Sequence, residues 1–188
     1  MKGGSLMSEI KEKQSSNEEC ISRRKLLKTA GCAGAAAILI GGLSGRAEAA
    51  SVKTYPQVKI ANLRNVKEWK PIRFDYPLLG RKSVLMDCGC VVEGGIGPNR
   101  SIVAYSMFCS HLGCSVDLDR DSEMLICECH QSIYNPKESG RVVEGPAPSS
   151  LPMVSLNIDS STGDIYAIGV AGLIYGLRNN LLDGEEVT

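Results

Sequence analysis

The chain has 188 residues, room for one domain of ordinary size once any leader is set aside, and its 21 Lys/Arg against 21 Asp/Glu give a formal charge of zero. The balance is uneven along the sequence: residues 1–49 hold eight Lys/Arg and five Asp/Glu, whereas residues 50–188 hold 13 and 16. A mildly acidic main body gives no support for nucleic-acid binding, and no nucleic-acid partner is expected.

Residues 1–49 read as an export signal. Ser22-Arg23-Arg24-Lys25-Leu26-Leu27-Lys28 precedes a Gly/Ala-rich apolar run, Thr29–Leu43, and Ala47-Glu48-Ala49 offers small residues at the spacing a signal peptidase needs. The paired arginines read as a twin-arginine signal. The apolar run is about 15 residues long, whereas a bilayer span needs roughly 20. Cleavage is therefore the first expectation and an uncleaved membrane anchor the alternative. The expected location is the periplasm, or in the alternative the outer face of the inner membrane, with membrane contact only if the leader is uncleaved. Cys20 and Cys32 lie within this leader.

Residues 50–188 read as one domain. Val58–Ile60, Ile72–Phe74 and Ser83–Met86 are short apolar or alternating runs, punctuated by Pro56, Pro71, Pro77 and Gly80, and are expected to be strands. Cys88 and Cys90 follow in Met86-Asp87-Cys88-Gly89-Cys90. A packing or incidental role is the first expectation for this pair, a strained Cys-Gly-Cys disulfide the second, and a metal site the third, since no additional histidine is available. Gly94-Gly95-Ile96-Gly97-Pro98-Asn99 is a loop signal, and Ser101–Met107 is β-branched and aromatic enough for a buried strand. Glu123–Cys127 reads in the same manner. Met153–Ile158 and Asp164–Val170 flank a turn-rich link and predict a hairpin, and Leu173–Gly176 is expected to add a last short strand. No amphipathic helix or internal repeat stands out.

The stretch from Cys109 to Tyr134 carries the chemistry. It reads CSHLGC, then 12 residues, then CECHQSIY, and it contains both histidines of the protein. Four thiols and two imidazoles exceed the four ligands of a tetrahedral zinc site. An all-Cys iron–sulfur cluster would leave both histidines unused. A [2Fe-2S] cluster in which two His replace two Cys on one iron uses two of each. The pattern Cys-x-His, 15 residues, Cys-x-x-His matches it, with Cys109, His111, Cys127 and His130 as candidate ligands. Cys114 and Cys129 are left over at equivalent places in the two boxes, where a disulfide can tie the loops together. A mononuclear zinc site and purely structural disulfides are the plainer alternatives.

CSHLGC and CECHQS resemble the two cluster boxes of Rieske proteins, and Gly145-Pro146-Ala147-Pro148 resembles the proline-containing loop that covers a third side of the cluster in that family. The resemblance implies that Cys109, His111, Cys127 and His130 bind the cluster and that Cys114 and Cys129 form the disulfide. It also implies that Ser132 and Tyr134 tune the cluster by hydrogen bonds to a bridging sulfide and a ligand sulfur. One departure is Gln131, where respiratory members usually have Gly, which leaves the ligands intact and opens the question of local loop geometry. The implied architecture is all-β: a small antiparallel barrel or sandwich, with a cluster-binding subdomain inserted at about residues 106–152.

Two further stretches are more discriminating. Glu93–Cys114, EGGIGPNRSIVAYSMFCSHLGC, and Ile168–Gly176, IGVAGLIYG, resemble the small subunit of arsenite oxidase, as do the Tyr76-Pro77 dipeptide and the twin-arginine leader. That resemblance implies an oxidoreductase in which this chain is the electron-transfer subunit, with no catalytic residues of its own. Its partner would be a large molybdopterin subunit with an iron–sulfur cluster of its own, oxidising arsenite to arsenate. A periplasmic cytochrome c or small copper protein would accept the electrons. Three other readings compete: the Rieske subunit of a quinol–cytochrome c oxidoreductase held by an uncleaved anchor, a ferredoxin partner of an aromatic-ring dioxygenase, and a metal-binding or disulfide-stapled module with no electron-transfer role.

Overall fold

The computed structural model describes residues 53–182 and 184–187; the expected leader, with Cys20 and Cys32, lies outside them. Among the described residues, strands form two antiparallel sheets. The larger runs in the order β1 (Val58–Asn62), β10 (Asp164–Ala171), β9 (Met153–Ile158), β4 (Ile102–Ser106), β3 (Lys82–Asp87) and β2 (Ile72–Asp75). The smaller runs β5 (Asp117–Asp119), β6 (Met124–Cys127), β7 (Ser132–Asn135) and β8 (Arg141–Glu144). Two short 3-10 turns, Leu63–Asn65 and Pro136–Glu138, interrupt the strands, each started by an Asn side chain that accepts a backbone N–H two residues on.

Strands β3 and β4 are buried along nearly their whole length, which an alternating pattern alone would not give. The reason is that both faces of the large sheet are covered. Leu85, Ile102 and Ala104 point to one side, into a core with Tyr76, Val154, Ile165 and Ala167. Val58 and Ile60 of β1 and Ile72 and Phe74 of β2, at opposite edges of the sheet, pack against that same core, so the sheet curls into a near-barrel. Val84, Met86, Val103 and Tyr105 point to the other side, where they meet Leu125 and Tyr134 of the small sheet. Each fully buried aliphatic or aromatic side chain of this kind contributes about 1.5–3 kcal/mol.

The small sheet is an insertion between two neighbouring strands. Tyr105 of β4 pairs with Met153 of β9, and one residue further on the Ser106 N–H donates to Pro152 O at 2.9 Å. The chain leaves the large sheet there and re-enters it at the same place. The buried Tyr105 hydroxyl donates to Pro136 O at 2.8 Å, pinning the insertion to the strand from which it departs.

The expected all-β architecture with an inserted unit is the one that forms. The runs at Val58, Ile72, Ser83, Ser101, Glu123, Met153 and Asp164 all become strands within a residue or two of their expected ends. Strands β5, β7 and β8 were not expected; each has only three or four residues and forms by pairing rather than by apolar pattern. The last expected strand is a correction: Leu173–Gly176 is a turn, closed by Leu177 N–H to Ile174 O at 3.2 Å, with Gly176 at φ +80°. The buried Asn180 side chain accepts from Ile174 N–H and donates to Gly172 O and Tyr55 Oη. The backbone groups of this segment are thereby satisfied by a side chain rather than by a neighbouring strand.

Cys88 and Cys90 are both free thiols. Cys88 packs in the core beside Tyr105 and Met86, and burial pushes its thiol up to about 12, whereas Cys90 is exposed. The fold supports a packing role for Cys88 alone, and the Cys-Gly-Cys bridge does not form. In the folded, cluster-loaded chain at pH 8, iodoacetamide is expected to label Cys90 and spare Cys88, because the thiolate is the reactive form. Peptide mapping that finds Cys88 labelled as fast as Cys90 would contradict this packing.

Candidate metal centre

The first box leaves β4 as a tight loop. Cys109 N–H donates to Cys114 O and Gly113 N–H donates to Cys109 O, both at 2.9 Å, and Phe108 pairs with Ser115 across the base. The Tyr175 ring packs so closely against Gly113 that a Cβ there would collide with it. The second box is the hairpin loop between β6 and β7, whose ends Cys127 and Ser132 are paired. Gln131 sits in this loop at φ +56°, and its Nε2 donates to Glu128 O at 3.0 Å. A left-handed conformation, which favours glycine, is thus held here by a residue with a side chain, one that contributes its own hydrogen bond.

A disulfide between Cys114 and Cys129, with Cα atoms 6.5 Å apart, ties the two loops together. It brings the His111 and His130 rings edge to face, their centroids 4.7 Å apart. His130 is exposed and His111 half-buried. Cys109 and Cys127 remain free thiols and are buried. Cys127 Sγ lies within 4.8 Å of both disulfide sulfurs. Those two sulfurs are spent in their own bond, so a three-thiolate site does not arise.

The third side is the Pro loop. Gly145 lies at φ +92° with its Cα so close to the second box that a Cβ would sit 2.5 Å from Ser132 Cα and 2.6 Å from Gln131 O. Only glycine allows this approach. Ala147 is buried, while Pro146 and Pro148 are exposed. Ser110 Oγ of the first box donates to Ser149 O at 2.6 Å, fastening the end of this loop.

Tyr134 reaches the centre from β7. Its hydroxyl lies 3.1 Å from Cys109 Sγ and accepts from Ser110 N–H at 3.2 Å. Burial pushes the Tyr134 phenol up to about 12, so it is a neutral donor at physiological pH. Burial also raises the Cys109 thiol, but hydrogen bonds led by that from Tyr134 outweigh it and bring it below the ordinary thiol range. The Cys127 thiol is pushed up, first by burial and then by Cys109 beside it. Two adjacent thiols resist ionising together, and a bound cation relieves that conflict.

The donor set can be tested against a [2Fe-2S] cluster. His111 Nδ1 is buried and has no hydrogen-bond partner. Ser132 Oγ is also buried and unpartnered; it lies near the Cys109 thiol without a hydrogen bond of normal geometry. A buried unsatisfied nitrogen and hydroxyl each cost about 1–3 kcal/mol unless something accepts them. Two free thiols, an orphaned imidazole nitrogen, a second imidazole and an orphaned hydroxyl, all carried by the two disulfide-tied boxes and the start of β7, fit a cluster with mixed Cys and His ligation. Spacing exposed the boxes, and the family resemblance the Pro loop. Neither exposed Ser110, Ser149 or Tyr175, whose contacts join segments 24 to 62 residues apart.

Comparison with known proteins agrees with this geometry. Residues 57–155 match the family described as the Rieske [2Fe-2S] domain. The iodate reductase subunit IdrB of Denitromonas iodatirespirans is 35% identical over 167 residues, 86% of this chain and 87% of that protein. The cytochrome bc1 complex Rieske iron-sulfur subunit of Streptomyces lividans is 35% identical over 72 residues, 38% of this chain and 42% of that protein. Among solved structures, the soluble domain of the Rieske protein II (soxF) from Sulfolobus acidocaldarius superposes with a TM-score of 0.57 at 33% identity, covering 66% of this chain and 82% of that one.

The disulfide links residues 15 apart in sequence, and closing a loop of that size is worth about 3 kcal/mol of stability in the chain-entropy account. Cys114→Ser is expected to loosen both boxes, so that the visible absorbance of the cluster bleaches several-fold faster in the presence of a chelator. A variant with the wild-type bleaching rate would show that the bridge does not hold the loops in place.

Proposed function

Because the chain belongs to the Rieske [2Fe-2S] domain family, we propose that it is the electron-transfer subunit of a molybdopterin oxidoreductase acting on a small oxyanion, with Cys109, His111, Cys127 and His130 as the cluster ligands. The observation that carries the ligand set is the buried, unpartnered His111 Nδ1, in a box that the disulfide ties to the one bearing Cys127 and His130. When bound, the cluster supplies a one-electron couple. The chain does no bond-making on substrate. It sets the potential, keeps water out and presents an exit for the electron. Exposed His130 is that exit, the Pro loop and the disulfide exclude water, and Tyr134 and Ser132 offer hydrogen bonds to the negative charge that reduction adds.

The partner in this reading is a large molybdopterin subunit with its own iron–sulfur cluster, and the second partner is a periplasmic cytochrome c or small copper protein. Two oxyanion chemistries compete, and they run electrons in opposite directions. Oxidation of arsenite to arsenate, favoured by the resemblance of Glu93–Cys114 and Ile168–Gly176, sends electrons from the large subunit through this chain to the carrier. Iodate reduction, favoured by the relative that covers 87% of its own length, draws them the other way. The respiratory alternative rests on a match confined to 38% of the chain.

We place the protein in the periplasm after twin-arginine export, with anchoring at the outer face of the inner membrane as the alternative. The Cys114–Cys129 disulfide supports an oxidising compartment.

Isolation of the tagged protein from its native host, with metal analysis of what co-purifies, tests the assignment. Molybdenum with iron, in a complex that oxidises arsenite or reduces iodate, supports it and selects the direction. Haem b in a membrane fraction without molybdenum would transfer the chain to a quinol-oxidising complex. The hydrogen bonds are tested separately: Tyr134→Phe and Ser132→Ala should each lower the midpoint potential, within the roughly −150 to +300 mV span of Rieske centres. Two unchanged potentials would remove this account of the tuning.

A further inference from the structure

Ser110 lies between Cys109 and His111 and touches both Tyr134 and the Pro loop. From its hydrogen bonds we infer that Ser110 is a positioning residue that competes with the Cys109 sulfur for the Tyr134 proton and so holds the potential below what Tyr134 alone would give. The inference rests on the proposed role of Cys109 as a cluster ligand.

Ser149 O is a carbonyl and can only accept, and Ser110 Oγ sits 2.6 Å from it. The single hydroxyl proton of Ser110 is therefore committed to the Pro loop. Ser110 Oγ also lies 3.3 Å from Tyr134 Oη, and with its proton spent it can only accept there. Ser110 N–H donates to the Tyr134 oxygen at 3.2 Å. Tyr134 is left with one proton and two acceptors in reach: Cys109 Sγ at 3.1 Å and Ser110 Oγ at 3.3 Å.

The consequence is a sign that differs from simple intuition. Reduction adds one electron and increases negative charge at the sulfurs, and an O–H donor undivided toward Cys109 stabilises that state more than a shared one. No proton is taken up or released in this account. Removing the Ser110 hydroxyl releases the Tyr134 proton wholly to Cys109. The potential should then rise, opposite to the fall expected for Tyr134→Phe. Threonine keeps a hydroxyl at the same branch point and should preserve the wild-type value.

The test is protein-film voltammetry of the cluster-loaded full chain in five forms: wild type, Ser110→Ala, Ser110→Thr, Tyr134→Phe and the Ser110→Ala/Tyr134→Phe double variant. The expected result is a raised midpoint in Ser110→Ala, a wild-type midpoint in Ser110→Thr, and no further shift when Ser110→Ala is added to Tyr134→Phe. A lowered or unchanged potential in Ser110→Ala overturns the inference. So does an equal shift with and without the Tyr134 hydroxyl, because that outcome assigns the effect to a loosened Pro loop and entering water. A Cys109→Ser variant that keeps the wild-type paramagnetic resonance spectrum of the reduced cluster would instead strike the ligand assignment beneath it.

Discussion

The disulfide between Cys114 and Cys129 is the constraint on which the centre depends. The two boxes are short loops with little apolar surface of their own to bury, so packing alone holds them weakly. The covalent bridge fixes the distance between them. With it go the facing imidazoles of His111 and His130 and the neighbouring buried thiols of Cys109 and Cys127. Gly145 closes the third side by bringing backbone against backbone, an approach any Cβ would block.

The loops in turn need a platform that does not move. Both faces of β3 and β4 are covered, one by the curled sheet and the other by the inserted unit, and the Tyr105 hydroxyl ties the two through Pro136 O. The insertion leaves and re-enters the large sheet at neighbouring strands, so displacement of the cluster loops would have to break the pairing around Ser106 and Pro152. That rigidity suits electron transfer, in which preset dipoles toward the site do more than motion does.

Electrostatics complete the design. The buried thiols of Cys109 and Cys127 oppose each other's ionisation, and Tyr134 offers one hydrogen-bond donor to the pair. Ser110 links that donor to the Pro loop, so the loop beside the centre and the Tyr134 hydrogen bond share a single side chain. His130 remains exposed beside this shielded interior, which gives one polar edge to a docking partner.

The sequence by itself determined the chemistry on offer: the order and spacing of CSHLGC and CECHQS identify the donor types and their number, and GPAP added the third side through the resemblance. It also determined the longer strands, since Ser101–Met107 and Met153–Ile158 carry enough apolar and β-branched residues to declare themselves. Only the tertiary structure decided what depends on distant pairing. Strands β5, β7 and β8 are too short to signal on their own, and Leu173–Gly176 has strand-like composition but turns, its Ile174 N–H taken by the Asn180 side chain. Likewise Cys88 and Cys90 are indistinguishable in sequence until one faces the core and the other the solvent. Local composition reports what a residue can do; which of its options it takes is settled by the partners that folding brings within a few ångströms.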